Sequence, residues 1–89
     1  LQCRLHRLSP GRRTRRHRHT WNAIYHVVEG EGETTVGDNN FNWAAHDVIS
    51  VPAWQWHEHR CAEGGDAIMF SVSDDPIYRA FALDRTEAV

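Results

Sequence analysis

Closely spaced turn signals constrain the fold of this chain more than any other feature. Residues that favour turns (Gly, Pro, Asn, Asp) recur every several positions, and the segments between them are short and rich in β-branched and aromatic residues. Segments of this length suit strands better than helices. The pattern therefore predicts an all-β sandwich or barrel. With 89 residues, the chain is expected to form a single domain, residues 1–89.

Eight short strands and one helix are expected from this spacing of turn residues. The predicted strands are residues 2–8, 14–20, 22–28, 33–36, 41–43, 48–51, 54–60 and 67–72. Pro52 cannot donate to a strand ladder, so it predicts an edge strand or a bend. The segment Ser-Asp-Asp-Pro at 73–76 is typical of a helix start and predicts a helix over 77–83. Together these elements predict a small jelly-roll barrel with a short C-terminal helix.

The charge distribution argues against a nucleic-acid partner. The formal net charge is −2, although the first 18 residues are rich in arginine. Strand alternation would send those arginines to two faces, which suits a solvated surface better than a phosphate-binding stripe. The chain has two cysteines, Cys3 and Cys61, and no apolar run of secretory or transmembrane type. We therefore expect a cytoplasmic protein with reduced thiols and no membrane partner.

Two histidines with one residue between them, His17 and His19, form the first candidate metal motif. Residues i and i+2 of a β-strand face the same side, so both imidazoles are expected to point the same way. His57 follows on a later predicted strand and supplies a third imidazole. Neutral imidazole is the commonest metal ligand in proteins, so the three residues predict a metal site in the mouth of a barrel. The alternative is a set of surface or core histidines without a metal.

The same alternation nominates residues around the metal. If the three histidines point inward, Arg15 shares the face of the pair, while Gln55 and His59 share the face of His57. Arg15 and Gln55 are therefore predicted to be substrate-binding residues that line the same cavity. His59 is predicted to line it as well and is the one candidate catalytic residue. An alternative metal ligand and an exposed strand-end residue are the other two interpretations of His59.

The histidine spacing resembles that of the cupin family over nearly the whole chain. The first cupin motif has a glycine, five residues, His-x-His, a glutamate and a later glycine. Gly11, His17, His19 and Gly30 match this pattern, and Ala23 stands where the glutamate is expected. The resemblance implies a double-stranded β-helix barrel. The alanine implies a three-histidine site with more open positions than the usual four-ligand site.

The second cupin motif is matched in part. Pro52 and His57 stand at its proline and histidine positions, and His46 replaces its glycine. Within the family, the chain looks like gentisate 1,2-dioxygenases and their relatives that cleave salicylate and 1-hydroxy-2-naphthoate. The segments that carry this similarity are residues 17–20, 23–30, 51–59 and 70–76.

This resemblance implies an Fe(II)-dependent, ring-cleaving dioxygenase of small hydroxylated aromatic acids. With such a substrate, Arg15 or Gln55 is expected to orient the carboxylate and His59 to hydrogen-bond the ring hydroxyl. Zn, Ni, Mn and Cu are alternatives to Fe(II), because imidazole ligands suit several divalent metals. The enzymes that the chain resembles have two cupin domains, and the tail from residue 74 through residue 85 is most similar to their C-terminal cupin. In that family the iron is usually assigned to the N-terminal cupin.

Other functions stay open. The first alternative is a non-catalytic cupin that binds a small molecule or a metal, or that forms the structural half of a two-cupin enzyme. A cupin enzyme of another kind, such as an isomerase, is a further alternative. A homodimer or a higher homo-oligomer is expected, because a small open barrel leaves strand edges and apolar faces to cover.

Overall fold

Nine strands and one short helix make up the chain, which a computed structural model describes over residues 1–89. The elements are β1 (Gln2–Leu8), β2 (His17–His19), β3 (Ala23–Glu29), β4 (Glu31–Val36), β5 (Asn39–Ala44), β6 (Val48–Val51), β7 (His57–Cys61), β8 (Ala67–Ser73), α1 (Asp75–Ala80) and β9 (Thr86–Ala88). They form two antiparallel sheets, with strand orders β1-β8-β3-β6 and β5-β4-β7-β2-β9. The predicted all-β barrel with one short C-terminal helix is confirmed.

Alternating burial along β3 and β8 builds the core between the two sheets. Tyr25 and Val27 point inward from β3 and pack in one cluster with Met69 of β8. Further along β8, the inward positions become polar, with Ser71 and Ser73 both buried. This change of side-chain chemistry separates an apolar end of the barrel from a polar end, and the polar end holds the candidate site.

The chain passes from one sheet to the other at Gly30. A register shift between Val27 and Glu29 interrupts the pairing of β3 with β8 near its end, and Gly30 follows with φ +89°. A Cβ at this position would lie 2.5 Å from the carbonyl oxygen of Asp66. Both the left-handed backbone and the close approach therefore require glycine here.

A strained turn holds β7 beside β2. Trp54 has φ +60°, and its N–H donates to the carbonyl of His19 over 2.7 Å. The guanidinium of Arg18 stacks over Trp54 at 4.1 Å and over Trp56 at 4.7 Å. Because residues 52–56 form this turn, β7 begins at His57, and the predicted strand over 54–60 began three residues too early.

The C-terminal segment also differs from the prediction. The helix ends at Ala80 because Ala82 adopts φ +56°, and its N–H donates to the carbonyl of Arg79. The sequence pattern did not predict β9, which is three residues long and has no apolar alternation. This strand pairs with β2 and covers its edge. The one helix of the chain is too short and too polar to cross a bilayer.

A buried carboxylate joins the helix start to the barrel. Asp75 is 0 % exposed, and it accepts hydrogen bonds from Ser73 Oγ at 2.7 Å, from Arg79 Nε at 3.2 Å and from Arg4 at 3.5 Å. Burial acts to raise the pKa of this carboxyl. The hydrogen bonds of Ser73 and Arg79, with the charges of Arg4 and Arg79, outweigh burial and hold the pKa below its usual value.

Replacing Asp75 with asparagine is expected to lower the free energy of unfolding by about 2 kcal/mol at pH 7, because buried charge-assisted hydrogen bonds are lost. The folded pKa lies below the unfolded value of 3.8. The stabilisation is therefore complete above pH 3.8 and is lost as the pH falls through the folded pKa. Urea unfolding at pH 7 and at acid pH measures both effects. Asp38→Asn, in an exposed turn, is the control, and an equal Asp75→Asn effect at both pH values would contradict this account.

Candidate metal centre

Three histidine rings converge where β2 lies beside β7. His17 and His57 are direct register partners, and His19 lies two residues further along β2. The His57 ring centroid is 4.2 Å from that of His17 and 4.9 Å from that of His19. One ring nitrogen of each residue lies within 4.8 Å of the other two. The structure thus brings together the three histidines that the sequence pattern nominates.

Backbone carbonyls hold all three rings in one tautomer. Nδ1 of His17 lies 2.7 Å from the carbonyl oxygen of Arg15, and Nδ1 of His57 lies 2.9 Å from that of Gln55. Nδ1 of His19 lies 3.0 Å from the carbonyl oxygen of Trp21, whose ring also stacks on the His19 ring at 4.4 Å. A carbonyl oxygen only accepts, so each Nδ1 donates its proton. Each Nε2 is therefore left with the lone pair that a metal needs.

Burial favours the neutral form of two of these imidazoles, His19 and His57. Burial lowers the pKa of His57 to about 4, against the opposing effect of its hydrogen bond to Gln55, and the charges of His17 and His19 add to the lowering. Burial also lowers the pKa of His19. At these two positions the neutral form that binds metals is therefore the form present at pH 7.

A buried atom without a partner tests whether a metal fits. His57 is 0 % exposed, and its Nε2 has no hydrogen-bond partner. Buried polar atoms without a partner are rare in folded proteins, and an ion is one recognised explanation. Three neutral imidazole nitrogens form a donor set that suits Fe, Zn, Cu or Ni. The residues present therefore fit a divalent transition metal.

Ala23 leaves room beside the three histidines. It lies on β3, is 4 % exposed and borders the same cavity as His17 and His19. A methyl group cannot bind a metal, so this position contributes space and no ligand atom. A metal held here would keep coordination positions open towards the cavity, which is typical of catalytic sites.

The cavity at the polar end of the barrel has a volume of about 580 Å³. Its wall includes Arg4 and His6 of β1, Tyr25 of β3 and Ser71 of β8. His6 Nε2 lies 2.8 Å from Ser71 Oγ. This combination of a concave space with a few polar groups is typical of small-molecule sites.

His59 lies in the wall of this cavity. It is 5 % exposed, its ring centroid is 4.5 Å from that of Tyr25, and its Nδ1 lies 2.8 Å from Thr34 Oγ1. Burial first, and then the charges of His57 and His17, lower its pKa to about 3. The centroid of its ring lies 5.9 Å from that of His57. His59 does not belong to the cluster of ring nitrogens formed by His17, His19 and His57.

Arg15 and Gln55, the two residues nominated to orient a carboxylate, do not border the cavity. Arg15 precedes β2 and is exposed, and its Nε donates to the carbonyl of Val89 over 2.8 Å. Gln55 belongs to the turn before β7 and is exposed. Strand alternation does not extend to either residue, so neither side chain follows the face of the histidines.

Arg4, His6 and Tyr25 are cavity residues that sequence reasoning missed. Arg4 and His6 alternate with Cys3 and Leu5 along β1, and that alternation is the signal that could have found them. Tyr25 alternates with Ala23 on β3 in the same way. What the sequence lacks is the pairing of β1 with β8, which brings these residues to the same end of the barrel as the histidines.

Comparison with known proteins assigns the family. The sequence profile of the cupin domain matches residues 4–73. The chain belongs to the cupin family. It is 39 % identical over 88 residues to a 5-aminosalicylate 1,2-dioxygenase of a Comamonas species, which covers 99 % of this cupin chain and 23 % of that relative. It is 42 % identical over 62 residues to gentisate 1,2-dioxygenase 1 of Aquipseudomonas alcaligenes, covering 70 % of the chain and 17 % of the relative.

A solved structure agrees with the fold of this cupin. The salicylate 1,2-dioxygenase of Pseudaminobacter salicylatoxidans superposes with a TM-score of 0.88 at 27 % identity, over 97 % of this chain and 24 % of that one. The chain therefore spans about a quarter or less of the length of these relatives. The cupin fold, the similarity to gentisate and salicylate dioxygenases and a histidine triad suited to a metal are established by these findings.

Proposed function

We propose that His17, His19 and His57 bind a divalent transition metal, and that this centre serves ring cleavage of a small hydroxylated aromatic acid by dioxygen. The observation that carries the proposal is the common tautomer of the three histidines. It leaves three Nε2 lone pairs in one cluster, and His17 and His19 of this cluster border the polar cavity. Fe(II) is favoured over Zn, Ni, Mn and Cu because the similar proteins are dioxygenases of aromatic acids.

Bound Fe(II) would supply a redox-active Lewis acid for the reaction between dioxygen and the aromatic ring. The residues of the chain bind and orient the acid. Arg4 offers a guanidinium at the cavity wall, because its side chain is 46 % exposed. One of its nitrogens lies 3.5 Å from Asp75, and the others are left to bind a ligand. His59 is proposed to hydrogen-bond the ring hydroxyl, and Ala23 leaves space for the ring. In this proposal Arg4 takes the carboxylate-orienting role predicted for Arg15 and Gln55.

The substrate class is supported by the relatives. Those named above act on 5-aminosalicylate and gentisate, and the salicylate 1,2-dioxygenase has been crystallised with gentisate. All three compounds place a carboxylate next to a hydroxyl on an aromatic ring. A cavity with one accessible guanidinium and one buried histidine suits such a pair of neighbouring oxygens. We place the activity in the cytoplasm, since Cys3 and Cys61 are both free thiols.

A second function, a non-catalytic cupin within a larger enzyme, is favoured by a different observation. The chain matches only 23 % of the Comamonas relative. In a two-cupin protein, one domain can bind a metal or a small molecule while the other performs the reaction. The two functions differ in turnover and not in metal binding, so an assay of the loaded chain separates them.

The test is oxygen uptake by the Fe(II)-loaded chain. Protein is loaded anaerobically to one iron per chain, and oxygen consumption is followed with gentisate, salicylate, 5-aminosalicylate and 1-hydroxy-2-naphthoate. Ring cleavage of at least one acid, lost in His57→Ala and kept in His26→Ala, supports the enzyme. Full iron occupancy with no uptake on any of the four acids rejects catalysis by this chain and favours the binding module.

Self-association is part of the proposal. The outer face of the β1-β8-β3-β6 sheet carries an apolar row in which Leu5 lies beside Phe70, and Val48 lies beside His26 on the same row. Leu5 is 72 % and Val48 is 64 % exposed. Apart from His26, this row is exposed apolar surface, which is typical of interfaces between subunits.

Leu5→Glu is therefore expected to shift the chain from dimer to monomer, because it places a charge within that surface, at its β1 end. Sedimentation velocity measures the change. Ile77→Glu, an equally apolar but separate exposed site on α1, is the matched control. A wild-type chain that sediments as a monomer would contradict this part of the proposal.

A further inference from the structure

Three buried side chains form a continuous line of hydrogen bonds that ends at His59 in the cavity wall. Trp43 Nε1 lies 2.8 Å from Thr34 Oγ1, and Thr34 Oγ1 lies 2.8 Å from His59 Nδ1. Their exposures are 4 % for Trp43, 0 % for Thr34 and 5 % for His59. Thr34 and His59 are direct register partners across β4 and β7, so the backbone pairing fixes their contact.

The direction of each hydrogen bond follows from the donor and acceptor chemistry. The indole N–H of Trp43 can only donate, so Thr34 Oγ1 accepts from it. Thr34 is fully buried, and its own hydroxyl proton needs an acceptor. His59 Nδ1 is the acceptor within reach. Thr34 therefore donates to Nδ1, which must present a lone pair, and the imidazole proton of His59 resides on Nε2.

We infer that Trp43 and Thr34 are positioning residues that fix His59 as the tautomer with its proton on Nε2, which makes His59 a hydrogen-bond donor to an anionic oxygen of the bound acid. His59 Nε2 is buried and has no partner within the chain. The residue borders the cavity. A deprotonated ring hydroxyl next to the carboxylate is the acceptor that this donor suits.

The contrast with His57, two residues away on the same strand, supports the inference. The Nδ1 atom of His57 faces the carbonyl of Gln55, so its Nε2 carries a lone pair. The Nδ1 atom of His59 faces a hydroxyl that already accepts from Trp43, so its Nε2 carries a proton. One strand face therefore presents a metal ligand and a hydrogen-bond donor two residues apart. The identity of the acid rests on the proposed function, whereas the tautomer of His59 does not.

The tautomer is tested directly by NMR of the metal-free and the Zn(II)-loaded chain with ¹⁵N-labelled histidine. Long-range ¹H–¹⁵N correlations distinguish protonated from bare ring nitrogens, and His59→Gln assigns the His59 signals. We expect His59 protonated on Nε2 and bare on Nδ1. In Thr34→Val an Nδ1-protonated population is expected, and Thr34→Ser, which keeps the hydroxyl, should restore the wild-type pattern. A wild-type His59 with its proton on Nδ1, or a Thr34→Val pattern identical to wild type, overturns the inference.

The ligand part is tested by calorimetric titration of the Zn(II)-loaded chain with salicylate and with benzoate, which lacks the hydroxyl. Thr34→Val is expected to weaken salicylate binding about tenfold, the equivalent of one hydrogen bond, and to change benzoate binding by less than about twofold. Thr34→Ser should bind salicylate like the wild type. Equal weakening of both acids would show a general structural effect and overturn the positioning role.

These outcomes separate the inference from the proposed function. A wild-type chain that shows the Nε2-protonated tautomer and binds neither acid would contradict the proposed ligand class and leave the assignment of Trp43 and Thr34 standing. A wild-type chain that binds salicylate tightly while His59 is protonated on Nδ1 would support the ligand class and contradict the assignment.

Discussion

His57→Ala is expected to lower the affinity of the chain for Fe(II) or Zn(II) by more than about 100-fold. Loss of a residue that only supports a ligand already costs 10- to 100-fold, and here a ligand itself is lost. His57 occupies the centre of the cluster, with its ring 4.2 Å from that of His17 and 4.9 Å from that of His19. Titration against a competing chelator, followed by metal analysis after gel filtration, measures the change.

Two controls keep the His57 experiment interpretable. His26→Ala removes an exposed histidine on the outer sheet face and should bind metal like the wild type. His57 is fully buried, so its loss also leaves a cavity, and circular dichroism must show that the variant is folded. His17→Ala, at a half-exposed site, gives the second measurement of ligand loss. Stoichiometric binding by a folded His57→Ala variant would refute the ligand assignment.

Gly32→Ala is expected to lower the free energy of unfolding by about 3 kcal/mol, at the upper end of the usual cost of overpacking. A Cβ at Gly32 would lie 2.1 Å from the backbone oxygen of Arg60 and 2.7 Å from the ring of Trp43. Backbone cannot yield cheaply in a strand paired on both sides, and Trp43 is fixed by its bond to Thr34. For a domain of this length, 3 kcal/mol lowers Tm by roughly 12 °C or more.

The matched control for Gly32→Ala is Gly64→Ala. No atom lies within 4 Å of the Cβ position of Gly64, and its φ is not in the left-handed region. Its substitution should change the free energy of unfolding by no more than about 0.5 kcal/mol. Thermal and urea unfolding of the two variants measure the difference. Equal stability of both variants would contradict the packing of the Trp43 ring across Gly32.

Local pattern in the sequence was sufficient to predict the strands that bury one face. Alternation along β3 and β8 matches the predicted strands closely, because the buried face sets a period of two. The pair His17 and His19 follows the same rule, which is why their common direction was predictable. Cupin motif spacing then linked His57 to them. The fold and the cluster of three histidines could therefore be predicted from the residues.

Long-range geometry accounts for what could not be predicted. Alternation was extended to Arg15 and Gln55, but β2 begins at His17 and the left-handed Trp54 ends any strand before His57. Their side chains accordingly face away from the cavity. Arg4 reaches the cavity only because β1 pairs with β8, and the strand β9 exists only because β2 offers it an edge.

The distinction between His57 and His59 shows the limit most clearly. Both lie on one face of β7, so the alternation of side chains along the strand leaves each of them as a possible ligand. The partner of Nδ1 separates them, and for His59 that partner is Thr34 on β4. Thr34 and His59 are 25 positions apart in the sequence, so no local pattern indicates that they are in contact. Hydrogen-bond partners supplied by a neighbouring strand are therefore the information that the sequence pattern lacked.

A crystal structure of the Fe(II)-loaded chain, with anomalous diffraction measured at the iron absorption edge, tests the three-histidine centre most directly. We expect one anomalous peak per chain, bonded to Nε2 of His17, His19 and His57, with His59 outside bonding distance. A peak bonded to His59 in place of one of the three, or iron bound elsewhere on the chain, would contradict the account.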